Sequence, residues 1–251
     1  MDRRLTIGII GTLAAVLLVT VLAGCAVDSR RLVLAAQNGD EPAVADLLKR
    51  GADINTRDAN GYSALAWAAE NGHLSIAKLL LRKGAIVDSK TEIGYTPLFS
   101  AAWGDHADVA RLLISKGADV NARLAKSAWA PLHVVKTREV AVILVEGGAN
   151  INARDRSGFT PLNRAMLLKS RQEIARYLIL AGADVNQPND NGNTPLHLAA
   201  SYADPDMVRL LLEKGARADA RNAEGITPLD YAMRAGKSDV AKLLKSHEGK
   251  R

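Results

Sequence analysis

The chain has 251 residues, of which 48% are hydrophobic and 24% are charged, a balance that is typical of folded proteins. This composition excludes a chain that is disordered throughout. The formal net charge at pH 7 is +6, and the single cysteine excludes a disulfide within one molecule.

The first 24 residues differ in kind from the rest of the chain. A short basic start precedes the almost wholly apolar residues 5–21, and Leu22-Ala23-Gly24-Cys25 closes the segment. This arrangement resembles a bacterial lipoprotein signal, whose box places the thiol that accepts the lipid on the cysteine. The resemblance implies cleavage after residue 24, acyl chains on Cys25 and a short lipid-anchored tether over residues 25–29. Ala26, which stands after the cysteine in place of an aspartate, favours the outer membrane, facing the periplasm.

Two other interpretations of this segment stay open. An apolar run of about 18 residues is at the lower limit for spanning a bilayer, so the segment could be an uncleaved membrane anchor. Alternatively, Cys25 could be a buried free cysteine, since cysteine packs as a small apolar group. The lipidated and the membrane-spanning forms both attach the rest of the chain to a membrane.

The remaining chain, residues 30–251, repeats one helical hairpin, which is clearest in residues 192–216. Thr194 is a good helix cap, and Pro195 fits the first helical turn, where no N–H is needed. A run of leucines gives the second helix a wide apolar face, and Gly215 can end that helix in the left-handed conformation. One such hairpin is too small to bury a core by itself.

The hairpin recurs with a period of 30 to 34 residues. The proline position falls at Ala64, Pro97, Pro131, Pro161, Pro195 and Pro228, and the closing glycine falls at Gly51, Gly84, Gly117, Gly148, Gly182 and Gly215. Motifs such as Tyr95-Thr96-Pro97-Leu98 and Ala130-Pro131-Leu132-His133 resemble the ankyrin-repeat family. We therefore predict an all-α solenoid of about seven stacked ankyrin helix-turn-helix repeats, including caps, with projecting β-turn fingers.

We assign seven units, of which the first and the last are the caps. The units lie near residues 30–60, 61–93, 94–127, 128–157, 158–191, 192–224 and 225–251. Unit two has Ser63 before its helix, which can still cap it. Unit four is about three residues short, so its clipped inner helix should change the curvature or leave a notch. Unit five carries one extra residue near 168–170, which a surface loop tolerates.

The sequence offers no set of residues that indicates catalysis. None of the five histidines has a neighbour at metal-ligand spacing, and no nucleophile elbow or phosphate-binding loop is present. We therefore predict no enzyme activity, no metal and no cofactor. His133 and His197 match the ankyrin Thr-Pro-Leu-His position, and the resemblance implies that their imidazoles bridge turns by hydrogen bonds.

The aromatic residues are the best candidates for binding a partner. The position before the Thr-Pro pair carries an aromatic side chain in four successive units, and two further aromatics lie at the variable end of the inner helix. The six candidates are Tyr62, Tyr95, Trp129, Phe159, Trp103 and Tyr202. Aromatic side chains supply much of the energy at protein interfaces. The four that precede Thr-Pro could equally be structural spacers that stack on neighbouring fingers.

These features predict a monomeric, non-enzymatic module in the bacterial cell envelope. It would bind a protein partner through its concave and finger surface and contact the membrane through its N-terminal lipid. An immunity-type neutraliser of a secreted toxin and a helper of an envelope stress-response enzyme are the alternatives. The compartment disfavours nucleic acid as a partner. The scattered lysines and arginines fit solvated helix faces, with weak attraction to an anionic membrane as the alternative.

Overall fold

The computed structural model describes residues 27–248. Within that range the chain forms thirteen α-helices, two 3₁₀ segments and no β-strand. The α-helices are 27–38 (α1), Glu41–Lys49 (α2), Ala64–Glu70 (α3), Leu74–Arg82 (α4), Pro97–Gly104 (α5), Ala107–Ser115 (α6), Arg138–Glu146 (α7), Pro161–Met166 (α8), Gln172–Leu180 (α9), Pro195–Tyr202 (α10), Pro205–Glu213 (α11), Pro228–Arg234 (α12) and Ser238–Glu248 (α13). The 3₁₀ segments are Pro131–His133 and Lys169–Arg171.

These elements form two layers of stacked helices, which confirms the predicted all-α solenoid. The inner layer contains α1, α3, α5, the segment Pro131–His133, α8, α10 and α12. The outer layer contains α2, α4, α6, α7, α9, α11 and α13. We call the exposed side of the inner layer, together with the turns that precede its helices, the inner surface. Each of these turns is called a finger and is counted with the unit whose inner helix it precedes, so that Asp58 belongs to the finger of unit two and Asp155 to that of unit five.

The inner helices begin where the Thr-Pro pairs predict. The side-chain oxygens of Thr96, Thr160 and Thr227 each accept a hydrogen bond from the backbone N–H three residues later, at 3.1 to 3.2 Å. Ser63 does the same for the N–H of Ala66, at 3.2 Å. Each cap satisfies one of the N–H groups that the first turn of a helix leaves without a partner. The departure from Thr-Pro in unit two therefore leaves its helix start intact.

One continuous hydrophobic core runs between the two layers. Each outer helix from unit two to unit six contributes a fully buried leucine at the same repeat position: Leu80, Leu113, Leu144, Leu178 and Leu211. Buried alanines on the inner helices, such as Ala68 and Ala101, let the helices of neighbouring units approach closely. No single hairpin encloses this core, so the hairpins stabilise one another.

Asparagine and aspartate side chains join the loops of successive units. Each accepts a hydrogen bond, at 2.8 to 3.1 Å, from a backbone N–H about 31 residues further along the chain. The acceptor and donor pairs are Asn55 with Ile86, Asp88 with Asp119, Asn121 with Asn150, Asn152 with Asp184, and Asn186 with Arg217. This row of side chains ties each unit to the next outside the helices.

The N-terminal boundary differs from the prediction, because residues 27–29 belong to α1 and not to a tether. Asp28 is buried and forms an ion pair with Arg50 at 2.6 Å. The hydroxyl oxygen of Ser29 accepts a hydrogen bond from the N–H of Asp53 at 2.8 Å. These contacts hold the start of α1 against the end of the first hairpin. Cys25 and the predicted signal segment lie outside the described residues.

Units four and five have the irregular inner elements that the sequence indicates. In unit four the inner helix is reduced to the 3₁₀ segment Pro131–His133, whereas α5 of unit three has eight residues. In unit five the exposed stretch 168–170 enters a second 3₁₀ segment before α9. The clipped helix of unit four is thus confirmed, and its effect on curvature stays a prediction.

Candidate protein-binding surface

Tyr62 and Tyr95 are packed against other side chains of the inner surface. The ring of Tyr62 stacks on Trp67, with centroids 4.7 Å apart, and lies 5.9 Å from the ring of Tyr95 in the next unit. Tyr95 in turn meets Phe99 edge to face at 4.7 Å. Both tyrosines are half-buried. These contacts link units two and three and fit the spacer interpretation of the two residues.

Glu70 lies beside this aromatic group. Its carboxylate accepts a hydrogen bond from the hydroxyl of Ser100 at 3.4 Å. Burial raises the pKa of Glu70, which the hydrogen bond from Ser100 and the charge of Lys136 partly offset. Burial, followed by the charge of Glu70, raises the pKa of Tyr62 to about 12. Glu70 therefore adds an acidic group to the aromatic inner surface of units two and three.

Trp129 and Phe159 hold an arginine between them. The guanidinium of Arg164 lies 4.8 Å from the centroid of each ring, within the range of a cation–π interaction. The carboxylate of Asp155 accepts hydrogen bonds from the indole N–H of Trp129 at 3.2 Å and from Nε of Arg164 at 2.9 Å. Asp155 also forms an ion pair with Arg164. Both aromatic residues thus have structural partners within the chain.

Asp155 is also the residue that shapes the finger of unit five. Its Oδ1 accepts hydrogen bonds from the backbone N–H groups of Ser157 at 2.8 Å and Phe159 at 2.9 Å. Its side chain is 1% exposed. Burial acts to raise the pKa of Asp155, but the hydrogen bonds and the charge of Arg164 outweigh it and lower that pKa. The ionised carboxylate therefore stabilises the turn and the arginine together.

The same arrangement recurs in two other fingers with different partners. In unit two the carboxylate of Asp58 accepts a hydrogen bond from the indole N–H of Trp67 at 2.8 Å. In unit seven the amide of Asn222 lies 3.4 Å from the hydroxyl of Tyr231. In each unit the two residues are nine positions apart. The finger residue and the fourth residue of the inner helix thus form a pair that the sequence analysis missed, although this spacing is visible in the sequence.

Trp103 and Tyr202 differ from the other four aromatic candidates because they are exposed, whereas the other four are half-buried. Trp103 is 40% exposed at the end of α5, and Tyr202 is 51% exposed at the end of α10. The ammonium of Lys136 lies 5.5 Å from the centroid of the Trp103 ring. Exposed aromatic side chains at the ends of inner helices are available to a partner without rearrangement of the fold.

The two histidines bridge units as expected. Nδ1 of His197 accepts a hydrogen bond from the N–H of Thr194 at 3.2 Å, and Nε2 lies 3.0 Å from the carbonyl oxygen of Ile226. His133 makes the corresponding contacts, at 3.1 Å to the N–H of Ala130 and 3.2 Å to the carbonyl of Phe159. The neutral tautomer with the proton on Nε2 fits both partners. Burial lowers the pKa of both imidazoles, which keeps them neutral.

The described residues hold no group of three or more histidine, cysteine, aspartate or glutamate side chains that could bind a metal ion. Between residues 27 and 248, no helix is both long and apolar enough to cross a membrane. The predicted lipid-attachment residue, Cys25, lies before this range.

A two-layered stack of helical hairpins joined by tight turns defines a repeat protein of the solenoid class. The family model that describes ankyrin repeats as a set of three copies matches residues 32–124 and 170–251, which together are well over half of the chain. The chain therefore belongs to the ankyrin-repeat family. The residues between the two matches, 125–169, contain the short fourth unit and about the first third of the fifth.

A solved structure supports the same assignment. The crystal structure of the human ASB11 ankyrin repeat domain is 33% identical in sequence and superposes with a TM-score of 0.77. The match covers 88% of this chain and 98% of that domain. None of the curated proteins matches the chain. Ankyrin repeats are generally protein–protein interaction modules, so the inner surface is a candidate site for a protein partner.

Proposed function

We propose that this chain is a non-enzymatic, monomeric protein-binding module that is attached to the bacterial cell envelope through a lipid on Cys25. The observation that carries the binding role is the exposure of Trp103 and Tyr202 on the inner surface. Large aromatic side chains contribute strongly to interfaces, and both stand at the variable end of an inner helix. Tyr62, Tyr95, Trp129 and Phe159 would border the interface while they keep their structural contacts.

The anchor follows from the sequence of residues 1–25 and is part of the same proposal. Residue 27 already belongs to α1, so the chain between Cys25 and the fold spans at most about 7 Å when fully extended. An array acylated at Cys25 would therefore lie directly at the membrane surface. Its partner would be a protein that reaches this surface.

Capture of partners from the cell envelope tests the binding role. The full chain would be solubilised in mild detergent, and its bound proteins would be compared with those of a Trp103→Ala, Tyr202→Ala variant. Leu180→Ala is the matched control, since Leu180 is an exposed apolar residue at the end of the outer helix α9. We expect the double variant to lose a partner that the wild type and the control retain.

Equal recovery of every protein by all three chains would contradict the assignment of the inner surface. The identity of a captured partner would separate the narrower roles. A secreted toxin would indicate neutralisation, and an envelope stress enzyme would indicate a helper.

A further inference from the structure

The positive charge of this protein is concentrated in one part of the array. From Arg123 to Arg171 the sequence contains nine lysine and arginine residues and three aspartate and glutamate residues, a net charge of +6. The whole chain has the same net charge, so all other residues together are neutral. Two of the three acidic residues, Glu139 and Glu146, lie on the outer helix α7. The inner elements of units four and five, with their fingers and the loops that follow them, are thus strongly basic.

Several of these cations already have partners within the chain. Arg154 forms an ion pair with Asp190 at 2.8 Å, and Arg164 forms one with Asp155. Arg123 and Arg156 donate to backbone carbonyl oxygens, including those of Ala128 at 3.0 Å and Ala125 at 3.3 Å. These four arginines hold the fingers of units four and five in place.

Arg171 is different, because no carboxylate pairs with it in the described part of the chain. It lies in the 3₁₀ segment Lys169–Arg171, and its side chain is half-buried. Burial, followed by the positive charge of Arg164, lowers its pKa. A partly desolvated cation beside a second cation is unfavourable unless an anion compensates it.

Lys136 extends this basic surface towards unit three. It follows the clipped inner helix of unit four, and it is exposed beside the ring of Trp103. Glu70 is near enough for the charge of Lys136 to lower its pKa, yet the two form no ion pair within 4.0 Å. An incoming carboxylate therefore has access to a free ammonium group next to an exposed aromatic ring.

We propose that the basic surface of units four and five binds an acidic segment of the protein partner. Its main contacts would be Lys136, which follows the segment Pro131–His133, and Arg171, which lies between α8 and α9. The inference rests on the proposed function, because it requires a protein partner. Aspartate and glutamate side chains of an extended segment would pair with the two cations, and an apolar residue beside them would pack on Trp103. Charge-assisted hydrogen bonds of this kind favour arginine, whose planar fork matches a carboxylate.

The geometry favours a peptide segment over a flat anionic membrane. The side chain of Arg164 is 26% exposed between two aromatic rings, and Arg171 beside it is half-buried. A planar membrane surface contacts exposed lysine side chains, but it cannot approach guanidinium groups that are recessed between other side chains. A flexible segment can place its carboxylates next to them.

Binding of a defined acidic peptide tests the inference. The full chain in phosphatidylcholine vesicles would be titrated against a fluorescein-labelled ten-residue oligoglutamate, with ten-residue oligoglutamine as the comparison peptide, and anisotropy would be measured. Lys136→Ala, Arg171→Ala is the test variant. Lys78→Ala, Lys83→Ala is the matched control, since it removes two exposed charges from the outer helix α4 and its C-cap.

We expect oligoglutamate to bind the wild type in preference to oligoglutamine. The Kd should rise at least tenfold in the test variant and by less than twofold in the control, and raising the salt from 50 to 200 mM should weaken binding. Circular dichroism would establish that both variants are folded. Equal losses in the two variants would mean general attraction to a basic protein and would overturn the inference.

A membrane role would give a different result. In that case, oligoglutamate would not bind. Phosphatidylglycerol vesicles, added in place of the peptide, would instead cluster with vesicles that carry the wild-type protein and not with vesicles that carry the test variant. That outcome would also overturn the inference. The two proposals can also be separated. If oligoglutamate does not bind but an envelope protein is captured in a way that depends on Trp103 and Tyr202, the inference of an acidic segment is overturned and the proposed function stands.

Discussion

Replacing Asp155 by asparagine should separate the two tasks of this residue. Asparagine can still accept hydrogen bonds from the two backbone N–H groups of the turn, as Asn189 does in unit six for the N–H groups of Asn191 at 3.1 Å and Asn193 at 3.0 Å. It cannot neutralise Arg164, whose guanidinium would be left between two aromatic rings without a counter-ion. The variant therefore keeps the finger but loses the charge pair and, with it, the carboxylate oxygen that accepts the indole N–H of Trp129.

The cost can be estimated from the burial of the pair. A hydrogen bond to a charged group contributes about 1.5–3 kcal/mol, and the carboxylate is 1% exposed while the arginine is 26% exposed. We expect the free energy of unfolding to fall by about 2 kcal/mol, which for an array of this size lowers Tm by about 4–8 °C. Asp155→Ala should cost about 4 kcal/mol, because it also removes two turn hydrogen bonds of about 1 kcal/mol each.

Thermal and urea unfolding followed by circular dichroism would measure these differences. Asp190→Asn is the control, because its ion pair with Arg154 is exposed, with 56% of the aspartate side chain open to solvent, and should contribute less than about 1 kcal/mol. The Asp155→Asn, Arg164→Leu variant copies unit six, which has Asn189 and Leu198 at these positions, and should recover at least half of the loss. If Asp155→Asn cost no more than the control, the stabilising role of the buried pair would be refuted.

Three further predictions follow from other parts of the molecule. Because burial lowers the pKa of His133 and His197 in the folded protein, the unfolded chain takes up protons first as the pH falls below 6.5. The free energy of unfolding should therefore be full above pH 6.5 and decline below it. The double variant His133→Asn, His197→Asn should show a smaller decline in urea titrations between pH 7 and 5.5. In thermal melts, Gly158→Ala should lower Tm more than Gly225→Ala. Both glycines have positive φ, of 74° and 76°, but the new methyl group would lie 2.3 Å from Asp190 at position 158 and would meet no atom within 4 Å at position 225. This steric overlap should cost Gly158→Ala about 1–3 kcal/mol more. Cys25→Ser should abolish acylation and cause the uncleaved precursor to accumulate, and mass spectrometry of the wild type showing an unmodified chain from Met1 would contradict the lipoprotein assignment.

The fold could be predicted because its determinants are local and repeated. A cap such as Thr96 before Pro97 specifies a helix start without reference to the rest of the chain. The six closing glycines, such as Gly84 with φ of 91°, all have the positive φ of the left-handed conformation that was expected of them. Since each unit touches mainly its neighbours, a correct assignment of one unit extends to the others. The departures of units two, four and five from the repeat pattern could likewise be recognised from their local sequence.

The site was less predictable, because exposure depends on contacts between units. The sequence places Tyr95 and Trp103 at equally promising positions, but only in the fold does Tyr95 pack on Phe99 and Tyr62 while Trp103 stays open. The absence of a carboxylate partner for Arg171 among the described residues is also a tertiary property, since it depends on which carboxylates reach the 3₁₀ segment. The boundary at residues 27–29 was wrong for a similar reason, because Asp28 is held by Arg50 from the far end of the hairpin.

The short inner element of unit four has a consequence for how the array unfolds. In a linear array, cooperativity passes from unit to unit through the contacts between neighbours. In unit four the inner layer consists of only three residues, Pro131–His133, whereas α5 in unit three and α10 in unit six each have eight. The outer layer continues without a break through α7. We therefore expect units one to three and units five to seven to unfold as two cooperative blocks, with a weaker coupling between them. A ligand that contacts Trp103 of unit three and Arg171 of unit five together would join the blocks and make them open as one.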